Sequence, residues 1–222
     1  MSESLYKLKN LGFNPKNILD IGAYHGHWAQ EASNIFSEAN VTMIEPIRYK
    51  ELERFNGNCK FNLRAILLYQ DVREVDWYEM KNTGDSIFKE VTHHFKNCVP
   101  DKKMTTTLDI EYFQRSIPPS ELIKIDCQGA EISILKGGEN IIKNSEIIIL
   151  EIPFFGKYNE GAPSFAEYIS YMDNIGFEPF DIAEYHKIAY HENVILQVDF
   201  AFIRKGHNLY LEFQNKIFDM GK

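Results

Sequence analysis

A chain of 222 residues with 44% hydrophobic and 25% charged side chains has enough apolar material for a large core, which excludes extensive disorder. Its formal net charge of −8 argues against nucleic acid as a partner, since affinity for phosphates comes from clustered Lys and Arg. Met1–Asn10 is too polar for a signal peptide and no apolar run is long enough to span a bilayer, so a cytoplasmic location is expected.

Residues 1–222 read as a single domain, with 1–16 as an N-terminal helical extension and 205–222 as a C-terminal helical tail. Asn17–Asp20 is a short buried strand, followed by a helix from about His25 to Phe36. Val41–Glu45 is the second strand, and Pro46 suits the first turn of a helix running to about Phe55. Lys60–Arg64 is the third, and Glu74–Tyr78 alternates with period two as an extra half-exposed strand. Lys102-Lys103 reads as a solvated loop. Leu122–Asp126 is the fourth main strand, followed by a helix from about Ala130 to Ile142, and Glu146–Ile152 is the most apolar strand. Ser164 caps a helix to Ile175, with Gly176 just past its end. Strands at Phe177–Ile182 and Leu196–Arg204 and an amphipathic stretch at about Asn208–Phe218 close the chain. This order predicts an α/β fold: a mostly parallel Rossmann-like sheet with helices on both faces and an antiparallel hairpin at its edge. Cys59, Cys98 and Cys127 have no metal-type spacing and read as reduced thiols.

The turn Asp20-Ile21-Gly22-Ala23-Tyr24-His25-Gly26 lies between the first strand and its helix, where glycines bring backbone close to a ligand. Glu45 ends the second strand 19 residues beyond Gly26, placed to accept both hydroxyl protons of a ribose. A dinucleotide prefers G-x-G-x-x-G, whereas this turn has Asp20-x-Gly22-x-x-x-Gly26. An acid before the turn repels pyrophosphate but pairs with an ammonium, which favours S-adenosylmethionine.

Five stretches are similar to the FkbM family of S-adenosylmethionine-dependent O-methyltransferases: Asp20–Gly26, Glu45-Pro46, Thr107-Leu108-Asp109, Ile123–Gly137 and Gln197–Phe202. The resemblance implies a class I methyltransferase with a seven-stranded sheet and methyl transfer to a hydroxyl, often on a sugar or glycosylated small molecule. It implies that Gly22, Ala23 and Gly26 meet the methionine end, that Glu45 meets the ribose with Pro46 also in the cofactor site, and that Asn62–Ala65, with Arg64 and Ala65, close around the adenine. Asn82–Phe88, including Ser86, resembles a segment bordering the cofactor. Family members often carry Asn where this chain has Tyr24, followed here by His25.

Asp20, Glu45, Asp126 and Glu151 all end strands and should converge on one rim. Asp126 and Glu151 are expected to face the acceptor, as base and orienting partner or as ligands of Mg²⁺; a turn cap for Asp126 and a basic partner for Glu151 are the alternative. Lys124 shares a strand face with Asp126 and, if buried, needs a carboxylate such as Glu131 or Asp109; a catalytic role is the other reading. The loop Pro153–Pro163, rich in aromatics and glycines, either shapes an acceptor pocket or packs on the core. His93-His94 read as a surface or lid pair. Other acceptors, a protein side chain or lipid-linked intermediate, and a non-catalytic binding module stand as alternatives. The oligomeric state stays open.

Overall fold

The computed structural model describes residues 1–187 and 193–219; the end of the C-terminal tail, 220–222, lies outside the described residues. A seven-stranded sheet is built from β1 (Asn17–Ile21), β2 (Asn40–Ile44), β3 (Phe61–Arg64), β6 (Leu122–Ile125), β7 (Ile147–Pro153), β8 (Phe177–Lys187) and β9 (Ile195–Arg204). Between them in sequence, β4 (Glu74–Trp77) and β5 (Asp101–Met104) form a separate antiparallel pair. The large sheet runs in the order β3-β2-β1-β6-β7-β9-β8. All its pairings are parallel except those of β9, which is antiparallel to both β7 and β8. The hairpin expected at the edge is thus present, with β9 inserted beside the most apolar strand.

Period two decides which helices each strand faces. Ile147 and Ile149, with Ile18, Val41 and Leu122, pack under α1 (Ser2–Asn10), α2 (His27–Ile35) and Leu209 of α7 (Asn208–Asp219). Ile148 and Leu150, with Leu19, Ile21 and Ile123, pack under α3 (Leu108–Phe113), α4 (Glu131–Lys136), α5 (Glu139–Ile142) and α6 (Phe165–Asn174). A sheet covered on both faces explains why β7 is buried at every position.

Four expectations need correction. The helix after Pro46 is a 3-10 turn over Lys50–Phe55, because Ile47 gives its N–H to the Glu45 carboxylate (3.0 Å) and Tyr49 stays extended (φ −69°, ψ 140°). The helix expected from Ala130 to Ile142 breaks at Gly137-Gly138; a side chain at Gly137 would meet the Tyr69 carbonyl at 2.3 Å. Asp109 caps the second piece, accepting from the Asn140 and Ile141 amides at 3.0 and 3.2 Å. Lys102 and Lys103 sit in β5, not in a loop: Lys102 pairs with Asp76 (2.7 Å), while Lys103 pairs with Glu79 (2.9 Å) over the Trp77 ring. The edge strand β8 continues five residues past Ile182, to Lys187, by way of register shifts along β9. The three cysteines are free thiols.

Candidate active site

At the carboxyl ends of β1, β2, β6 and β7 lies a cavity of about 670 Å³. Its walls include Gly22, Glu45, Ile66–Leu68, Asp126, Glu151 and Tyr158. Such a volume suits a nucleoside-sized ligand with room for a second small molecule.

One half of the cavity is built from backbone. After β1 the chain turns with Gly22 at φ +78°, Tyr24 at +47° and Gly26 at +73°. A methyl group on Gly22 would lie 1.9 Å from the Asp126 carbonyl, so this position must be glycine for the turn to pass β6. The amides of Gly22 and Ala23 donate to the Ile44 carbonyl at 2.9 and 3.2 Å, which pins the turn against β2. Glu45, just beyond β2, accepts from the Tyr24 amide (2.9 Å) and the Ile47 amide (3.0 Å), one on each carboxylate oxygen. Each oxygen keeps a further lone pair for a ligand hydroxyl. Burial pushes the Glu45 carboxyl up to about 7 against the pull of those two amides. Tyr24 stacks on His25 (centroids 3.7 Å apart) and meets Tyr49 edge-on (5.0 Å).

The other half is built from side chains. Lys124, 5% exposed, bonds Asp126 at 3.0 Å. Burial disfavours its charge, but Asp126, Asp20 and Asp199 outweigh this and hold it protonated. Burial likewise would raise Asp126, and Lys124 overrides it, so the carboxyl stays below its ordinary range. Glu151 goes the other way: burial first, and the Asp126 charge second, push it well above the usual carboxylate range. Gln128 bridges the two, donating to Asp126 (3.1 Å) and to one Glu151 oxygen. Gln197 donates to the other Glu151 oxygen and accepts from the Tyr158 hydroxyl at 2.7 Å. Neighbouring carboxyls driven in opposite directions form a fixed negative charge beside a carboxyl that favours its protonated form.

Two loops roof the cavity and are stitched together. Asn82, Asp85 and Ile87 line it from one side and Tyr158 from the other. Val91 donates to the Tyr158 carbonyl (2.8 Å), Glu160 to that of Lys89 (2.8 Å), and the Asn159 amide to that of Phe88 (3.1 Å). Ser86, 1% exposed, fastens the roof down by donating to the carbonyls of Cys127 (3.2 Å) and Gln128 (3.0 Å).

Of the residues picked from sequence, Gly22, Tyr24, Glu45, Pro46, Asp126 and Glu151 line the cavity. Asp20 lies just behind it, fully buried, with neither carboxylate oxygen hydrogen-bonded among the described residues. Burial raises it to about 6, partly offset by Lys124. Ala23 is in the core, and Gly26 is pressed against Phe55, where an added Cβ would meet the ring at 2.5 Å. His25 lies 3.7 Å from Glu51, outside the lining. Arg64 pairs with Glu111 (3.0 Å) and Ala65 faces a separate shallow groove, so Asn62–Ala65 do not line the cavity, whereas Ile66–Leu68 do. Lys124 takes Asp126 as partner, not Glu131 or Asp109: Glu131 holds the Cys127 amide (2.8 Å) and the Tyr168 hydroxyl. Mg²⁺ between Asp126 and Glu151 finds no support: Asp126 already has a buried cation in Lys124, and burial drives Glu151 toward its neutral form.

Tyr49, Asp85, Gln128, Tyr158 and Gln197 were not singled out as site residues by sequence reasoning, although four of them lie in segments it flagged. The signal available for Gln128 was its place between Asp126 and Gly129, where it adopts φ +52°.

A sheet of this order, with the glycine turn after β1 and a carboxylate after β2 at one cavity, defines the class I methyltransferase fold. The chain belongs to the FkbM methyltransferases: the methyltransferase FkbM domain matches residues 20–179. Among curated proteins nothing matches. Among solved structures, an FkbM methyltransferase from Methylobacillus flagellatus KT superposes with TM-score 0.51 at 16% identity, over 83% of this chain and 43% of that one. This chain therefore spans less than half the length of that relative. Sp1610 of Streptococcus pneumoniae, a candidate tRNA (m1A22) methyltransferase, gives TM-score 0.52 at 12% identity, over 92% of this chain and 71% of that one. At these identities the superpositions establish the fold alone. No described helix is long and apolar enough to cross a membrane.

Proposed function

We propose that the cavity binds S-adenosylmethionine and that the protein transfers its methyl group to a hydroxyl of a sugar, in a glycan or glycosylated small molecule. The observation that carries the cofactor assignment is Glu45, held by two backbone amides at the cavity wall that it shares with Gly22. Asp20, fully buried behind the turn and not on the cavity wall, would act on a cationic ligand only through space. Bound there, the cofactor supplies an electrophilic methyl carbon. Pro46 and the apolar Ile66–Leu68 wall take the nucleoside end, with Tyr24 and Tyr49 beside it.

Methylation of a hydroxyl releases one proton. Glu151 takes it up from its ionised form, and Gln128 and Gln197 hold its oxygens in place; burial and the Asp126 charge favour the protonated product. Asp126 stays charged through Lys124 and lines the cavity, where it would offset the positive charge of the bound cofactor. Lys124 is a positioning residue in this scheme.

Thermal shift separates this reading from its rivals. S-adenosylhomocysteine should raise the midpoint, and NAD should leave it unchanged. A rise with NAD alone would overturn the cofactor assignment. Mass spectrometry of hydroxyl-bearing glycosides after incubation with S-adenosylmethionine then tests the acceptor class, with methylation confined to nitrogen nucleophiles as the contrary result.

A further inference from the structure

We propose that Glu184, His186 and Asp199 form a binding site for a first-row divalent cation, Mn²⁺ or Zn²⁺, where the β8–β9 hairpin meets the cavity. Each offers one ligand atom, and the three atoms lie within 4.8 Å of one another. The site rests on this hairpin alone and does not depend on the methyl-transfer reading.

Strand geometry forces the three together. Glu184 and His186 are two apart on β8 and so share a face, and Asp199 of β9 is the cross-strand partner of Glu184. Register shifts fall between Ile182 and Glu184 and again between His186 and Lys187, so irregularities bracket the pair and re-aim it. Two carboxylates directly opposed on neighbouring strands repel, and a cation between them turns that repulsion into attraction.

Asp199 points to a ligand independently. It is 3% exposed, yet its carboxylate accepts no hydrogen bond of normal length from the described residues; the His186 ring Nε2 stands 3.7 Å away. The buried cation on the same sheet face, Lys124, is bonded to Asp126. Glu184 also lies 3.4 Å from the Met1 amino group, a pair with only its Glu184 side exposed, which a metal would replace. Bonds of about 2.1 Å place ligand atoms roughly 3 Å apart, which the exposed Glu184 and His186 side chains reach by rotating toward the fixed Asp199. One nitrogen and two carboxylates suit Mn²⁺ or Zn²⁺ and leave coordination positions open. His186 and Gln197 both line the cavity, so those positions face the acceptor side, within reach of oxygen ligands such as a vicinal diol.

The test uses the full chain, untagged and stripped with EDTA. Mn²⁺ alone is titrated with the free-ion signal read by electron paramagnetic resonance, and Zn²⁺ alone by calorimetry. One ion per chain is expected, with affinity at least ~tenfold weaker in His186→Gln and Glu184→Gln, both exposed positions that leave the core intact. Asp199→Asn should lose the ion as well, with its melting curve recorded to show that it folds. Glu151→Gln should bind as the parent does. Absence of binding by either ion up to the order of 1 mM, or parent-like affinity in His186→Gln, would sink the proposal. So would loss of the ion in Glu151→Gln with retention in His186→Gln.

Discussion

The two halves of the cavity are held by different means. Around Gly22 and Glu45, backbone amides and carbonyls fix the geometry, and side chains are added to a frame that already stands. Around Asp126 and Glu151, side chains hold one another, Lys124 to Asp126 to Gln128 to Glu151 to Gln197 to Tyr158, across β6, β7, β9 and two loops. A backbone-built half tolerates loss of one side chain and fails when the turn cannot form. A side-chain network fails when any member leaves a buried partner unsatisfied.

The sharpest way to break the second half is Lys124→Met, which strands Asp126 beside Asp20. It should cost about 3–5 kcal/mol in chemical denaturation. A loss below ~1 kcal/mol would show that the network carries little stability. Glu151→Gln keeps the shape and removes the proton acceptor, so turnover should fall at least ~100-fold while S-adenosylhomocysteine affinity stays within about threefold. Equal losses in both would move Glu151 to the cofactor half. In the backbone half, Glu45→Gln should weaken S-adenosylhomocysteine roughly tenfold or more with little change in melting.

Acidity distinguishes the halves too. Because Glu45 is raised to about 7 and accepts ligand hydroxyls best when ionised, affinity for S-adenosylhomocysteine should fall as pH drops below 7, and Glu45→Gln should flatten that profile. Asp20 acts on stability. Burial lifts it from 3.8 to about 6, so its neutral form favours the fold: that contribution is complete below 3.8 and is lost as pH rises through about 6. Ligand-free Asp20→Asn should therefore lose part of the decline in melting temperature seen between about pH 4 and 6. A parent profile that rises over this window would contradict the placement. Ser86→Ala, the smallest change, should cost about 1 kcal/mol and loosen the roof, read as faster amide exchange in 82–91.

The contrast also explains what was legible in the sequence. Glycine spacing, the acid before the turn and Glu45 at its fixed distance are local signals, and they located the backbone half. The parallel sheet and its antiparallel edge hairpin followed from short apolar runs alternating with helix-length stretches. The network around Glu151 is assembled from residues up to 46 apart, so Gln197 had no local signature, whereas Asp126, two residues from Lys124 on the same strand face, was in plain sight and was passed over as its partner for Glu131 or Asp109. Thr107-Leu108-Asp109, one of the stretches that carry the family resemblance, is architectural: Thr107 caps α3 (3.1 Å to the Ile110 amide), Asp109 caps α5, and Leu108 fills the space beside Gly138. The 3-10 turn after Pro46 was missed because a side chain, Glu45, competes for an amide that periodicity assigns to a helix.

The antiparallel β9 has a last consequence. It brings the beginning of one strand, at Gln197, to the end of another, at Pro153, so the rim gains side chains from a hairpin lying outside the β1–β2 nucleotide unit. In engineering terms the described rim positions of the hairpin, His186 and Gln197, can be exchanged while the turn after β1 is inherited unaltered.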